Sequence, residues 1–302
     1  MSSTDPQPPE LEQGSEVDGW KPVEPNRTRA PITLILGITL VGVVVLLALV
    51  SVFWTPYDPS ALSIPDRYLP VGTPGYLLGT TRLGRDVVTQ IMAGARTALL
   101  VSILSTTAAV GLGTVWGLAA AGARPRAQRV LTQATDVGVA LPGILIALVL
   151  ATAIGAGNTA AVIAIVGWFV PIVARVTIGP AKQILALDYV EAAFAYGRTK
   201  WYVLRRHVLP NVAPVLIVQA SLMFAAAILI ESTLSFLGVG AQPPTASWGR
   251  MLKESQTVLD FAPSLMLIPG LAIMGAVLGF NLLGDGLRTV LDPKQSANRG
   301  AP

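Results

Sequence analysis

The sequence predicts an all-α polytopic membrane protein with six transmembrane helices and both termini on the cytoplasmic side. Three observations lead there. Of 302 residues, 52% are hydrophobic and 13% charged, with a mean hydropathy of +0.62, whereas a soluble domain carries about 25% charged residues. Six apolar segments are each about long enough to cross a hydrocarbon core of roughly 30 Å. Lysine and arginine gather on alternate connecting segments, which orients the spans.

Residues 1–30 are polar, with five prolines (Pro6, Pro8, Pro9, Pro22, Pro25) and six acidic residues. That composition cannot bury enough apolar surface to fold, so it reads as a disordered cytoplasmic tail. It lacks the short basic start of a signal peptide, and the apolar run after it is too long. The spans follow near 31–54, 95–121, 134–154, 159–179, 212–237 and 264–284. Gly155-Ala156-Gly157-Asn158 is a tight turn between the third and fourth. Pro142, Pro171 and Pro269 are kinks of the kind membrane helices tolerate when neighbours satisfy the freed carbonyls. Gly113 and Gly117 suit close helix packing; no strand precedes them, so they do not read as a nucleotide loop. Residues 294–302 form a short C-terminal tail.

With the N-terminus inside, fifteen of the 21 lysines and arginines lie on the cytoplasmic side and six outside. The outer six are Arg67, Arg82, Arg85, Arg96, Arg250 and Lys253. This ratio places residues 188–210 in the cytoplasm.

That stretch reads as two short helices broken at a glycine. Asp188 and Glu191 have the spacing of a capping box, so a helix starts at Tyr189. Gly197 stands where a residue of positive φ closes it. Eight residues give a rod roughly 12 Å long, with small side chains at Ala192, Ala193 and Ala195. Thr199 caps a second helix, with Trp201, Leu204 and Val208 on its apolar face and Arg198, Arg205 and Arg206 elsewhere. Pro210 ends the pair.

Glu191-Ala192-Ala193, Gly197 after three intervening residues, and then Leu209-Pro210 together resemble the EAA loop of ABC-importer permeases. Further segments resemble the "C" permeases of dipeptide, oligopeptide and nickel importers. These are Leu78-Gly79-Thr80-Thr81-Arg82-Leu83-Gly84-Arg85-Asp86, Glu231-Ser232-Thr233-Leu234-Ser235-Phe236-Leu237-Gly238, Gln242-Pro243-Pro244 with Ser247-Trp248-Gly249, and Leu283-Gly284-Asp285-Gly286 with Leu291-Asp292-Pro293. The resemblance covers about 31–293 and implies a type I (MetI-like) permease fold over that whole domain, in the inner membrane of a bacterium.

It also implies a function: one half of an ATP-driven import path for peptides, with nickel chelates or glutathione as alternative solutes. The implied partners are a homologous second permease, two cytoplasmic ATPase subunits that bind ATP and magnesium, and an external solute-binding protein. Docking to the ATPase then falls to Glu191, Ala192, Ala193, Phe194, Gly197 and Arg198, although Glu191 also serves as a helix cap. The chain has no Gly-x-x-x-x-Gly-Lys-Ser/Thr loop to cradle phosphates, so no cofactor and no catalytic residue is expected in it.

Two other classes compete. An ion-coupled secondary transporter normally shows internal repeats, and no convincing repeat is seen. An intramembrane hydrolase needs a base beside its nucleophile, and the single histidine, His207, sits in the cytoplasmic loop, where it reads as a packing residue. The absence of cysteine and of further histidine removes thiolate and multi-histidine metal sites. Nothing resembles a basic nucleic-acid face. Glu231 is an ionisable group within a span and by default a candidate path or gate residue. Asp136 and Asp285 read as solvated or capping ends. Arg82, Arg85 and Asp86 either bind the solute-binding protein or lock the outer loop internally.

Overall fold

The computed structural model describes residues 29–291. The expected tails fall outside those residues, except that the first helix already begins at Arg29, and so does the Asp292-Pro293 ending. The described chain is helical: α1 Arg29–Phe53, α2 Val87–Ala121, α3 Pro125–Ala140, α4 Gly143–Ile154, α5 Asn158–Leu185, α6 Asp188–Ala195, α7 Lys200–Val203, α8 Leu209–Leu237, α9 Trp248–Ser255 and α10 Ser264–Leu291. Five helices are long and apolar enough to cross a membrane, and the bent pair α3–α4 supplies a sixth crossing if it is one span.

That pair corrects the third expected span. Instead of one kinked helix over 134–154, the chain turns by 86° between α3 and α4. Leu141, which precedes Pro142, is extended at φ −76° and ψ 129°. Proline disfavours helical geometry in the residue before it and donates no N–H, so the helix must end there. It restarts at Gly143, where the Trp168 ring lies so close that a Cβ would clash with it.

The fifth span is also longer than expected. Pro210 does not end the preceding helix: Lys200–Leu237 runs on as one rod, through a π-helical turn at Leu204–Val208. There the Leu209 N–H donates to the Leu204 carbonyl, five residues back. The widened turn accommodates a proline that cannot bond four residues back. At the other end of the bundle, α2 starts at Val87 rather than near residue 95, because Asp86 caps it by accepting from the Thr89 N–H.

Two apolar clusters hold the bundle. The outer one joins Val44 and Ala48 of α1, Ile91 and Ala95 of α2, Ile228 of α8, Trp248 of α9 and Phe280 of α10. The inner one joins Leu118 and Ala121 of α2, Phe169 and Val173 of α5 and Val212 of α8 to Val190, Val203, Leu204 and Val208 of the loop region. Between α2 and α5, Gly113 and Gly117 permit close approach: a Cβ on either would lie 2.5 Å from Val173 or Thr177. The remaining apolar surface, such as Ile35 and Leu46 on α1 and Leu104 and Leu112 on α2, is exposed, as suits side chains that meet lipid or another membrane chain.

Candidate functional site

The loop between α5 and α8 is built as a rod on a rigid base. Leu187, extended at φ −83° and ψ 141°, precedes α6, and the N–H groups of Val190 and Glu191 donate to its carbonyl. This corrects the capping box: Asp188 is the first helical residue and caps nothing with its side chain. Asp188 and Glu191 instead lie in the first turn, where the helix dipole favours negative charge. Among the described residues Glu191 has no hydrogen-bond or ion-pair partner, so its carboxylate faces water.

The far end follows the sequence reading. Gly197 has φ +78°. Its N–H donates to the Phe194 carbonyl at 2.9 Å, and the Arg198 N–H donates to Ala193 at 3.1 Å. These are the two bonds of a Schellman closure. Thr199 then caps α7, accepting from the Tyr202 N–H.

Burial divides the loop into two faces. Val190, Val203 and Val208 are fully buried and belong to the inner cluster. Ala193 is half-buried against that cluster, while Glu191, Ala192, Gly197 and Arg198 are exposed. Periodicity puts Trp201 on the apolar face, yet it is 67% exposed, and Val203 takes the inward place. The widened turn shifts the register that a regular helix implies. Phe194 and Tyr196 are exposed too, the latter 87%. The His207 ring stands between Tyr189 and Tyr202 at 5.8 and 5.9 Å, edge-on to both, and the Arg198 guanidinium lies over Tyr202 at 5.0 Å. His207 is thus a packing residue.

Glu231 occupies the other end of α8 and is fully buried. Its Oε1 accepts from the hydroxyls of Ser235 at 2.8 Å and Ser247 at 3.0 Å, and Oε2 from Ser232 at 3.4 Å. Ser235 also accepts from the Ala241 N–H at 2.9 Å. Beside this network the Trp248 indole donates to the Ile91 carbonyl at 3.0 Å. The carboxylate therefore pins the segment 239–248 to α8, and no arginine among the described residues pairs with it. It does not line the cavity of about 340 Å³ between α2, α8 and α10, which has Thr106, Thr107, Ser221, Phe224 and Phe280 in its wall. The sequence reading missed that cavity. Its one signal is the hydroxyl run of α2, where Thr106 is buried without a partner.

Asp136 pairs across α3 and α5 with Arg175 at 3.8 Å, both half-exposed. Asp285 is exposed near the end of α10.

Residues 113–297 match the family described as binding-protein-dependent transport system inner membrane component. The glutathione transport system permease protein GsiD of Pectobacterium atrosepticum is 37% identical over 257 residues, spanning 84% of this chain and 85% of that one. The di/tripeptide transport system permease protein DppC of Pseudomonas aeruginosa is 38% identical over 263 residues, spanning 85% and 87%. Among solved structures, a chain of the MetNI methionine ABC transporter in an inward-facing conformation superposes with a TM-score of 0.57 at 17% identity. It covers 67% of this chain and 96% of that one, which establishes the shared fold.

Proposed function

Since the chain belongs to the binding-protein-dependent transport system inner membrane components, as a multi-pass permease subunit of an ABC importer, we propose that it forms half of a peptide path. Separate ATPase subunits drive it through residues 188–210. Those subunits hold ATP with magnesium and hydrolyse the ATP. A homologous second permease completes the path, and an external binding protein delivers the solute.

One observation carries this reading. The region 188–208 exposes Phe194, Tyr196 and Trp201 at one end of the bundle, while Val190, Val203 and Val208 beneath them are locked into the inner cluster. Exposed apolar surface marks an interaction site, and aromatic side chains are enriched in protein interfaces. A rod fixed to α2, α5 and α8 moves them when it moves, because packed interiors transmit displacement rather than absorb it. ATP, which draws the ATPases together, is then the differential ligand for the switch between inward-open and outward-open states.

Peptides are the solute class the relatives favour. The two named for di/tripeptides and for glutathione are similar to this chain to nearly the same degree, and glutathione is itself a tripeptide. Family membership leaves no ground for the ion-coupled alternative.

The test is Ala192→Asp, at an exposed rod position that leaves the inner cluster untouched. Uptake of a labelled dipeptide should be lost and co-purification of the ATPase subunits weakened, with the thermal stability of the permease unchanged. Normal uptake with normal ATPase association would remove the coupling assignment.

A further inference from the structure

Asp86 is taken up in capping α2 at the outer face. Its buried carboxylate accepts from the Thr89 N–H and hydroxyl, both at 2.7 Å. Arg82 and Arg85 do something else. Arg82 lines a cleft between the turn at 81–85 and α9. The cleft, of about 360 Å³, has Arg82, Gln242, Arg250, Lys253 and Glu254 in its wall; a second recess of about 20 Å³ shares Arg82 and Glu254 and holds Arg85, Gln90 and Ser255.

The cleft gathers basic side chains. Arg82, Arg250 and Lys253 converge there, Arg85 lines the adjoining recess, and Glu254 is the one carboxylate in either wall. Arg250 already takes that carboxylate, Nε to Oε1 at 2.9 Å. Among the described residues, Arg82, Arg85 and Lys253 have no carboxylate partner. The Nε of Arg85 is buried and without an acceptor, a condition native structures rarely leave unfilled. The Lys253 ammonium sits against Gly238, where a Cβ would meet it at 2.6 Å.

We propose that this cleft is a carboxylate site that clamps an acidic side chain of the external solute-binding protein. It rests on the importer reading above, since the family is defined by dependence on such a protein. The cleft opens at the end of the bundle opposite the coupling rod, where that protein must dock. Guanidinium forks match the planar carboxylate, and a concave wall of net positive charge focuses the field that guides an acidic partner in.

The whole transporter, in discs of neutral phosphatidylcholine, is titrated with its cognate binding protein at several salt concentrations. The double variant Arg82→Gln/Lys253→Gln should bind roughly tenfold more weakly and with a flatter salt dependence. Basal ATP hydrolysis and the bound ATPase subunits should be unchanged. A zero-length carbodiimide should join Lys253 to an Asp or Glu of the binding protein, and Lys253→Arg should keep the affinity but lose that amide. Unchanged affinity and salt slope in the double variant overturns the proposal. So does an effect that appears only with anionic lipid, or protection of Lys253 by a free dipeptide and not by its C-terminal amide in the absence of binding protein. A wild-type complex that binds neither ATPases nor binding protein overturns the importer reading itself.

Discussion

The Ser247 hydroxyl donates to Oε1 of Glu231 at 3.0 Å, fastening the segment before α9 to the outer end of α8. Glu231→Leu leaves three hydroxyls to find other acceptors and should destabilise the permease by about 1–3 kcal/mol. Ser247→Ala removes one donor and should cost about 1 kcal/mol. Thermal unfolding of the purified complex reads both. If Glu231→Leu abolishes uptake with an unchanged melting temperature, Glu231 acts in the path after all.

Gly197 closes α6 at φ +78°, with open space around its α-carbon. The obstacle to a side chain is thus conformational rather than steric. Gly197→Val should cost on the order of 1–3 kcal/mol locally and lower uptake. Gly197→Asn, which tolerates the left-handed region, should retain most of the activity. Equal activity of the two variants would mean the closure does not set the rod.

Gly117 is a steric case. A Cβ there would lie 2.5 Å from the Thr177 Cβ, so Gly117→Leu must push α2 and α5 apart. A loss of about 1–3 kcal/mol is expected, read as a drop in folded yield and melting temperature. Gly111, where a Cβ would meet nothing within 4 Å, is the control.

Pro142 holds the 86° turn between α3 and α4. Pro142→Ala frees Leu141 to become helical, and spin labels at 128 and 152 should then move apart. A straight helix over that stretch spans roughly 36 Å. An unchanged distance would show that the Trp168–Gly143 contact alone maintains the turn.

The spans are legible in the sequence because length and apolarity suffice to define them in a bilayer. Gly197 is legible because a helix followed by a sharp reversal demands positive φ. The 86° turn is not, since a proline in an apolar run kinks or breaks a helix according to what packs beside it, and Trp168 is distant in sequence. The Asp188 cap misleads because its spacing to Glu191 fits a capping box, whereas the extended residue that fixes the start is Leu187. Trp201 is misplaced by periodicity, which assumes a regular turn where the chain makes a wide one before Pro210. The buried setting of Glu231 rests on Ser247, and that of Trp248 on Ile91, 157 positions away. Neither partner is marked by any local pattern.

The chain contains no cysteine, so Ala192→Cys creates its sole thiol, at an exposed position of the rod. Labelling with a membrane-impermeant maleimide tests the coupling claim most directly. The thiol should resist reagent added to intact spheroplasts, react in inverted vesicles stripped of ATPase subunits, and be shielded once those subunits are restored. Reaction from the outside, or equal labelling with and without the ATPases, would contradict it.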